Sequence, residues 1–255
     1  GPVPFTQTVG AAVPTIPGVN MTGGSLAAPS GLIHMATVPS PGEVSLPGLS
    51  GGPLGNSASS SLSDSAIIRI RSGEFVLDRA FLAVNSDGST AQSAVIVDVQ
   101  GAAIMRNASS ISSETSGTER GSDIQMTAQS LQMDSAFIKS VTTNDGHGGD
   151  ISIDARTISL TNGAQIVSST DGLGAGGNVS ISARDSVTIS GFDATGTLTG
   201  LDPFGSGFVP SGVFTASSSS AAGGTILITR AQQSVQEPAV TVANGGWIGS
   251  ITSGS

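Results

Sequence analysis

Two acids and two bases in this chain of 255 residues have the types and spacing to be weighed for chemistry: Asp98, Asp154, Arg156 and Arg184. Cleavage of a polysaccharide needs converging carboxylates, or a carboxylate-held cation beside a base. Aligning the short β runs of the chain puts Asp98, Thr127, Asp154, Ser182 and Thr229 in one outward column. Asp98 and Asp154 then lie two coils apart, roughly 10 Å at strand spacing. That is too far to share a metal. Arg156 and Arg184 fall next to that column, one coil apart. Solvated surface charge accounts for all four, and no catalytic residue is assigned.

The turn Asp145-Gly-His-Gly-Gly-Asp150 has the flavour of a calcium-binding nonapeptide turn. Such sites share each ion between successive turns, so they need tandem copies. The next turn, from Asp171 to Gly177, carries a single acid. A plain glycine turn is the expectation. His147 and His34 stand alone, there is no cysteine, and no nucleophile elbow is present, so no metal or cofactor site is expected. Asn20-Met-Thr, Asn107-Ala-Ser and Asn178-Val-Ser match the glycosylation sequon, which arises by chance in a Ser/Thr-rich chain. A last group is aromatic. Phe192, Phe204, Phe208 and Phe214 make half of the eight Phe in a chain with no Tyr. Two readings stay open for them. They fold a loop onto the flank of the protein, or they form a contact patch for a partner.

The elements that would carry these groups come from a repeat of about 27 to 29 residues. Ser122–Gly149, Asp150–Gly177 and the copy opening at Asn178 each end in a glycine-rich turn and restart with a β run. Ile124/Met126, Ile151/Ile153 and Val179/Ile181 alternate with polar residues. Leu131/Met133, Ile158/Leu160 and Val187/Ile189 do so again, and Ala136/Ile138 and Ala164/Ile166 form a third run. Alternation of this kind puts one set of side chains inside and the other outside. Ile124, Ile151 and Val179 should therefore stack in one parallel sheet. Asn162-Gly163 supplies a tight turn between the second and third runs. The fold class expected is all-β, a right-handed parallel β-helix with three short strands per coil. Residues 64–255 are assigned to the helix and residues 1–63 to an irregular amino-terminal cap or linker with short strands. A side-loop insertion spans residues 191–212, because one interval between coils is longer than the repeat.

Composition limits the partners. Charged residues make 11% of the chain and the net charge is −9, so the basic stripe that nucleic acid demands is absent. No run reaches the length of a membrane-spanning helix. Val240, Val242, Trp247, Ile248 and Ile251 continue the apolar pattern almost to Ser255. Further chain, or self-association through Trp247, Ile248 and Ile251, is expected at that end.

The run GGDISIDARTISLTNGAQIVSSTDGLGAGGNVSISARDSVTISG (Gly148 to Gly191) resembles the repeats of filamentous-haemagglutinin-like large exoproteins of two-partner secretion systems. The loop-and-return from Gly191 to Thr229 and the stretch from Gly23 to Leu46 are similar to that family as well. The resemblance implies a right-handed parallel β-helix, export through an outer-membrane pore, and a secreted or bacterial cell-surface location. It also implies an adhesive or filamentous role, with host or surface glycans or proteins as partners. The expectation is thus a structural or adhesive protein and not an enzyme. The alternative is a carbohydrate-active β-helix enzyme, a lyase or a hydrolase.

Overall fold

A computed structural model of the chain describes residues 18–28, 31–36, 66–86, 94–202, 205–231 and 236–253. Among them there is no helix. Sixteen strands join in one network, and every pairing between named strands is parallel. The result is an all-β, solenoid-like stack of tiers. The proline-rich segment 2–17 and the stretch 40–63 lie outside the described residues.

The chain begins with β1 (Gly18–Ala28), β2 (Gly31–Ala36), β3 (Ala66–Ser72) and β4 (Glu74–Ser86). It continues through β5 (Ala94–Val99), β6 (Ala102–Arg106) and β7 (Ser110–Thr115). The central tiers are β8 (Asp123–Asp134) with β9 (Phe137–Thr142), and β10 (Ile151–Thr161) with β11 (Gln165–Thr170). β12 (Val179–Ser190) with β13 (Gly212–Ser217) follows, then β14 (Ile226–Arg230), β15 (Ala239–Ala243) and β16 (Trp247–Thr252).

These strands stack in three ladders. The first face runs β2, β3, β5, the front halves of β8, β10 and β12, then β14. The second runs from the front halves of β1 and β4 through β6 and the rear halves of β8, β10 and β12 to β15. The third runs from the rear halves of β1 and β4 through β7, β9, β11 and β13 to β16. Ile124, Ile151 and Val179 stand in register on the first face, as do Met126, Ile153 and Ile181. The full outward column Asp98, Thr127, Asp154, Ser182, Thr229 stands as the alternation predicts.

Inside, Ile68, Ile70, Phe75, Leu77, Leu131, Ile158, Leu160 and their equivalents form one apolar core, each essentially without exposure. The first-to-second corner is gentle, and small Ala128, Ala155 and Ala183 stack there, so the strand bends without ending. The second-to-third corner is sharp. It needs a left-handed residue in every tier: Gly23, Arg79, Asn107, Ser135, Asn162, Gly191 and Asn244, with φ between 51° and 84°. Gly and Asn reach that region at least cost, and they fill five of the seven positions.

The third-to-first corner is built differently. From β7 onward the inward third face is apolar only at its first position. Beyond Ile111, Ile138, Ile166 and Val213 it turns to Ser and Thr, all buried: Ser113/Thr115, Ser140/Thr142, Ser168/Thr170, Thr215/Ser217. Most of these hydroxyls donate to carbonyls of the glycine-rich turns. Ser140 donates to Ser122 O (3.0 Å), Ser168 to Gly149 O (2.7 Å), and Thr215 to Gly224 O (3.2 Å). Thr142 donates to His147 O (3.1 Å) and Thr170 to Gly146 O (3.2 Å). Buried backbone oxygens that no strand can serve are thus paired. The turn glycines are required by space as much as by conformation. A Cβ on Gly149 would sit 2.1 Å from Ser122 O and 2.7 Å from Ser140 Oγ.

The amino-terminal tier departs from a plain repeat. β1 fills the second and third faces beneath β4, and β2 then fills the first face beneath β3. Its pieces are in the order second, third, first, whereas later tiers read first, second, third. The described part of residues 1–63 therefore belongs to the same stack as the repeats.

Gly149→Ala should destabilise the protein by about 1–3 kcal/mol through overpacking of this corner. Ser152→Ala, at an exposed position of the neighbouring strand, should stay within about 0.5 kcal/mol of wild type. Chemical denaturation of the two variants measures the difference.

Candidate functional site

The outward side of the third face is unlike the outward sides of the other two. Alternation puts Phe81, Ser110, Phe137, Gln165, Gly212 and Trp247 in one outward column. Lys139, Val167, Phe214 and Gly249 stand in the next, followed by Val141, Ser169, Ala216 and Ile251. This face carries large apolar groups outside the core, so something must cover them or use them.

The insertion covers part of it. It leaves the second-to-third corner after Gly191 (φ 84°) and returns into β13 at Gly212. Phe192 and Pro210 form an antiparallel bridge at its neck, and Asp193 N donates to Val209 O (2.7 Å). Two polar side chains then fix its path. Gln165, fully buried on β11, donates through Nε2 to Leu201 O (2.7 Å) and Pro210 O (2.9 Å), and its Oε1 accepts from Leu201 N (2.8 Å). Asp193 accepts from Thr195 N (2.9 Å), from the Thr195 hydroxyl and from Leu198 N (2.7 Å). Burial pushes the Asp193 carboxyl up, but the hydrogen bonds from Thr195, Leu198 and Thr197 together hold it below its usual value.

The four phenylalanines separate. Phe192 and Phe208 pack edge to face, with centroids 5.6 Å apart, and stay 43% and 46% exposed. Phe214 is fully buried on the outer side of β13, its ring centroid 5.5 Å from that of Trp247. Phe204 lies outside the described residues. Trp247 and Ile251 point outward on β16, whereas Ile248 continues the core column of Val213. Gln165 and Asp193 carried no signal in the sequence, because a single buried amide or carboxylate has no period.

Between the insertion and the third face lies a half-open cleft of about 440 Å³. Its floor holds Phe81, Phe137, Lys139 and Asp171, and its wall holds Thr197 to Leu201. Gly200 is the contact point. A Cβ there would sit 2.5 Å from Val209 Cγ1 and 2.9 Å from Phe137 Cε1.

Elsewhere, acids hold neighbouring tiers together. Asp123 accepts from Asp150 N (2.8 Å), Asp150 from Asn178 N (2.7 Å), and Asn178 Oδ1 from Thr225 N (3.0 Å). Arg120 bridges Asp123 and Asp150 at 2.9 and 2.6 Å. Asp145 accepts from Leu173 N, and His147 Nδ1 from Ala175 N, each one tier on. Asp98 pairs with Arg71 at 3.4 Å. Asp78 accepts from Asn107 (2.9 Å) and Arg106 (3.1 Å), and the Asn107 bond foremost draws its carboxyl below the usual range. Arg156 meets Asp185 at 2.6 Å, because one extra residue in β12 bulges against it. The sequon residues Asn107 and Asn178 spend their side-chain amides on Asp78 and Asp150. Among the described residues no group of three or more His, Cys, Asp or Glu is placed to hold a metal ion.

No protein-family profile, no curated protein and no solved structure matches the chain.

Asp193→Asn keeps the shape but turns an N–H pair toward backbone donors, and should destabilise by about 1–3 kcal/mol at neutral pH. Because the folded carboxyl titrates below its usual 3.8, its contribution is present above that pH. It is lost as pH falls through the folded value. Denaturation of wild type and variant between pH 7 and pH 2 should show the two curves converging only below about pH 3.8.

Proposed function

We propose that this chain is an extracellular structural and adhesive protein, a segment of a secreted or surface-exposed fibre, built as a right-handed parallel β-helix with three short strands per coil. The observation that carries the reading is the use of the polar groups. Carboxylates of the kind an enzyme would gather in one groove are spread over successive tiers and bonded to the next tier's backbone or to an arginine. A side-chain ladder of this kind favours an elongated scaffold over a reaction centre. Right-handed winding follows from the strong chirality preference of parallel crossovers. The resemblance to filamentous-haemagglutinin-like exoproteins supports the same reading, and with it export through an outer-membrane pore.

The last described tier supports end-to-end assembly. Val240 and Val242 are 47% and 45% exposed, whereas Val187 and Ile189 beneath them are fully buried. A further coil, from this chain or from a second copy, would cover them. Unlike ends that join head to tail do not close on themselves and so give filaments.

Two measurements test the proposal. Beads coated with the protein should adhere to cell surfaces above an uncoated control, and the protein should release no product from polygalacturonate with or without calcium. Turnover abolished by Asp154→Ala would favour the carbohydrate-active enzyme instead. In sedimentation, the wild type should associate with rising concentration, and Val240→Asp with Val242→Asp should hold it as a monomer.

A further inference from the structure

The cleft on the third face has a regular spacing that its folding role does not require. Phe81 and Phe137 occupy one outward column, with Ser110 between them, so they stand two tiers apart. That interval is about 9.6 Å at the strand spacing of a stacked sheet. Phe81 is 47% exposed and Phe137 partly exposed. Both line the same cleft, which is closed on one side by Thr197 to Leu201 and open on the other.

We infer that this cleft binds an unbranched, neutral, β-linked hexopyranose chain, lying along the stack with sugar rings on Phe81 and Phe137. This deepens the adhesive reading above and rests on it. A hexopyranose offers a flat C–H face and a rim of hydroxyls. The floor supplies aromatic surface at an interval close to that of two β-linked rings in an extended chain. The smaller Ser110 between the two rings leaves room for the ring that faces the other way. Around the floor stand the groups that a hydroxyl rim needs: Thr197 and Thr199 on the wall, Lys139 and Asp171 on the sheet. A small number of polar groups around an apolar floor is the usual form of a ligand cleft.

Charge decides between glycan classes. The cleft holds one cation and one anion, Lys139 and Asp171, so its formal charge is zero, and the chain as a whole carries −9. An acidic polymer would meet long-range repulsion with no basic cluster to offset it. An extended peptide is disfavoured by the geometry. Peptides gain affinity by adding a strand to an open edge. This floor is the face of a ladder whose strands are bonded on both sides, from β4 through β13.

Calorimetry or NMR titration with cellohexaose and mannohexaose tests the inference, with a trigalacturonate as the acidic comparison. The neutral β-linked chains should bind, the uronate should not, and Phe81→Ala should lower affinity by about tenfold. Phe81 is 47% exposed and lies outside the core, so that variant should fold, which a cooperative melting transition near that of wild type would verify. Leu227→Ala, at an exposed site on the first face, should bind as wild type does. Absence of binding by both neutral chains overturns the inference. So does binding that Phe81→Ala and Phe137→Leu both leave unchanged, or preference for the uronate. The adhesive reading fails separately. If coated beads adhere but neither neutral chain binds, the fibre reading stands and the cleft assignment falls. If the oligosaccharides bind with the expected loss in Phe81→Ala but beads do not adhere, the cleft assignment stands and the adhesive reading falls.

Discussion

Parallel backbone hydrogen bonds hold neighbouring tiers of this chain about 4.8 Å apart, and every other choice in the molecule is made inside that spacing. A strand side chain meets an equivalent above and below, so like stacks on like: Ile on Ile, Ala on Ala, Ser on Ser. A corner has less freedom still. Where the chain crosses from the third face to the first, backbone lies almost directly on backbone, and a methyl group at Gly121, Gly148, Gly149 or Gly177 would come within 2.5 Å of an atom in an adjacent tier. Glycine is the residue that fits, but glycine brings no side chain to bond the exposed carbonyls. The buried Ser and Thr of the third face do that from within the core. The two unusual compositions, glycine outside and hydroxyl inside, are one solution to one problem.

The acidic residues follow the same rule at this corner and at the second-to-third one. Asp78, Asp123, Asp134, Asp145 and Asp150 each accept a hydrogen bond from a residue 27 to 29 positions on. Taken singly, such surface contacts contribute little. Repeated over several tiers they set register, because a one-residue slip would turn each carboxylate away from its donor and each core residue toward water. An acidic chain with few bases can therefore stack regularly, since these acids accept from neutral N–H groups.

Much of this was legible in the sequence, and what was missed has a common cause. A period of two and a repeat near 28 were enough to place Ile124, Ile151 and Val179 in one sheet, and to predict the column from Asp98 to Thr229. Asn162-Gly163 marked the sharp corner, but Arg79 and Ser135 occupy it without any sequence cue. The buried hydroxyl columns were hidden because an apolar pattern cannot reveal a polar interior. The Arg156–Asp185 pair was hidden, since the bulge that sets Asp185 beside Arg184 opposite Arg156 is a single added residue, invisible within a strand of 12 residues. The cleft depended on Gln165 and Asp193, whose partners lie 36 and five residues away and share no repeat.

The order of strands in the first tier has a consequence for timing. Among the described residues, β1 finds its parallel partner in β4, where Gly18 meets Glu74, and β2 finds its own in β3, where Gly31 meets Ala66. A chain emerging amino-terminus first presents residues 18–36 before β3 and β4, their strand partners here, have been made. The tier that β1 and β2 make can close only once β3 and β4 have been made. Growth of the stack toward β16 and closure of the β1–β2 tier are then separate events that run in opposite directions from β3 and β4.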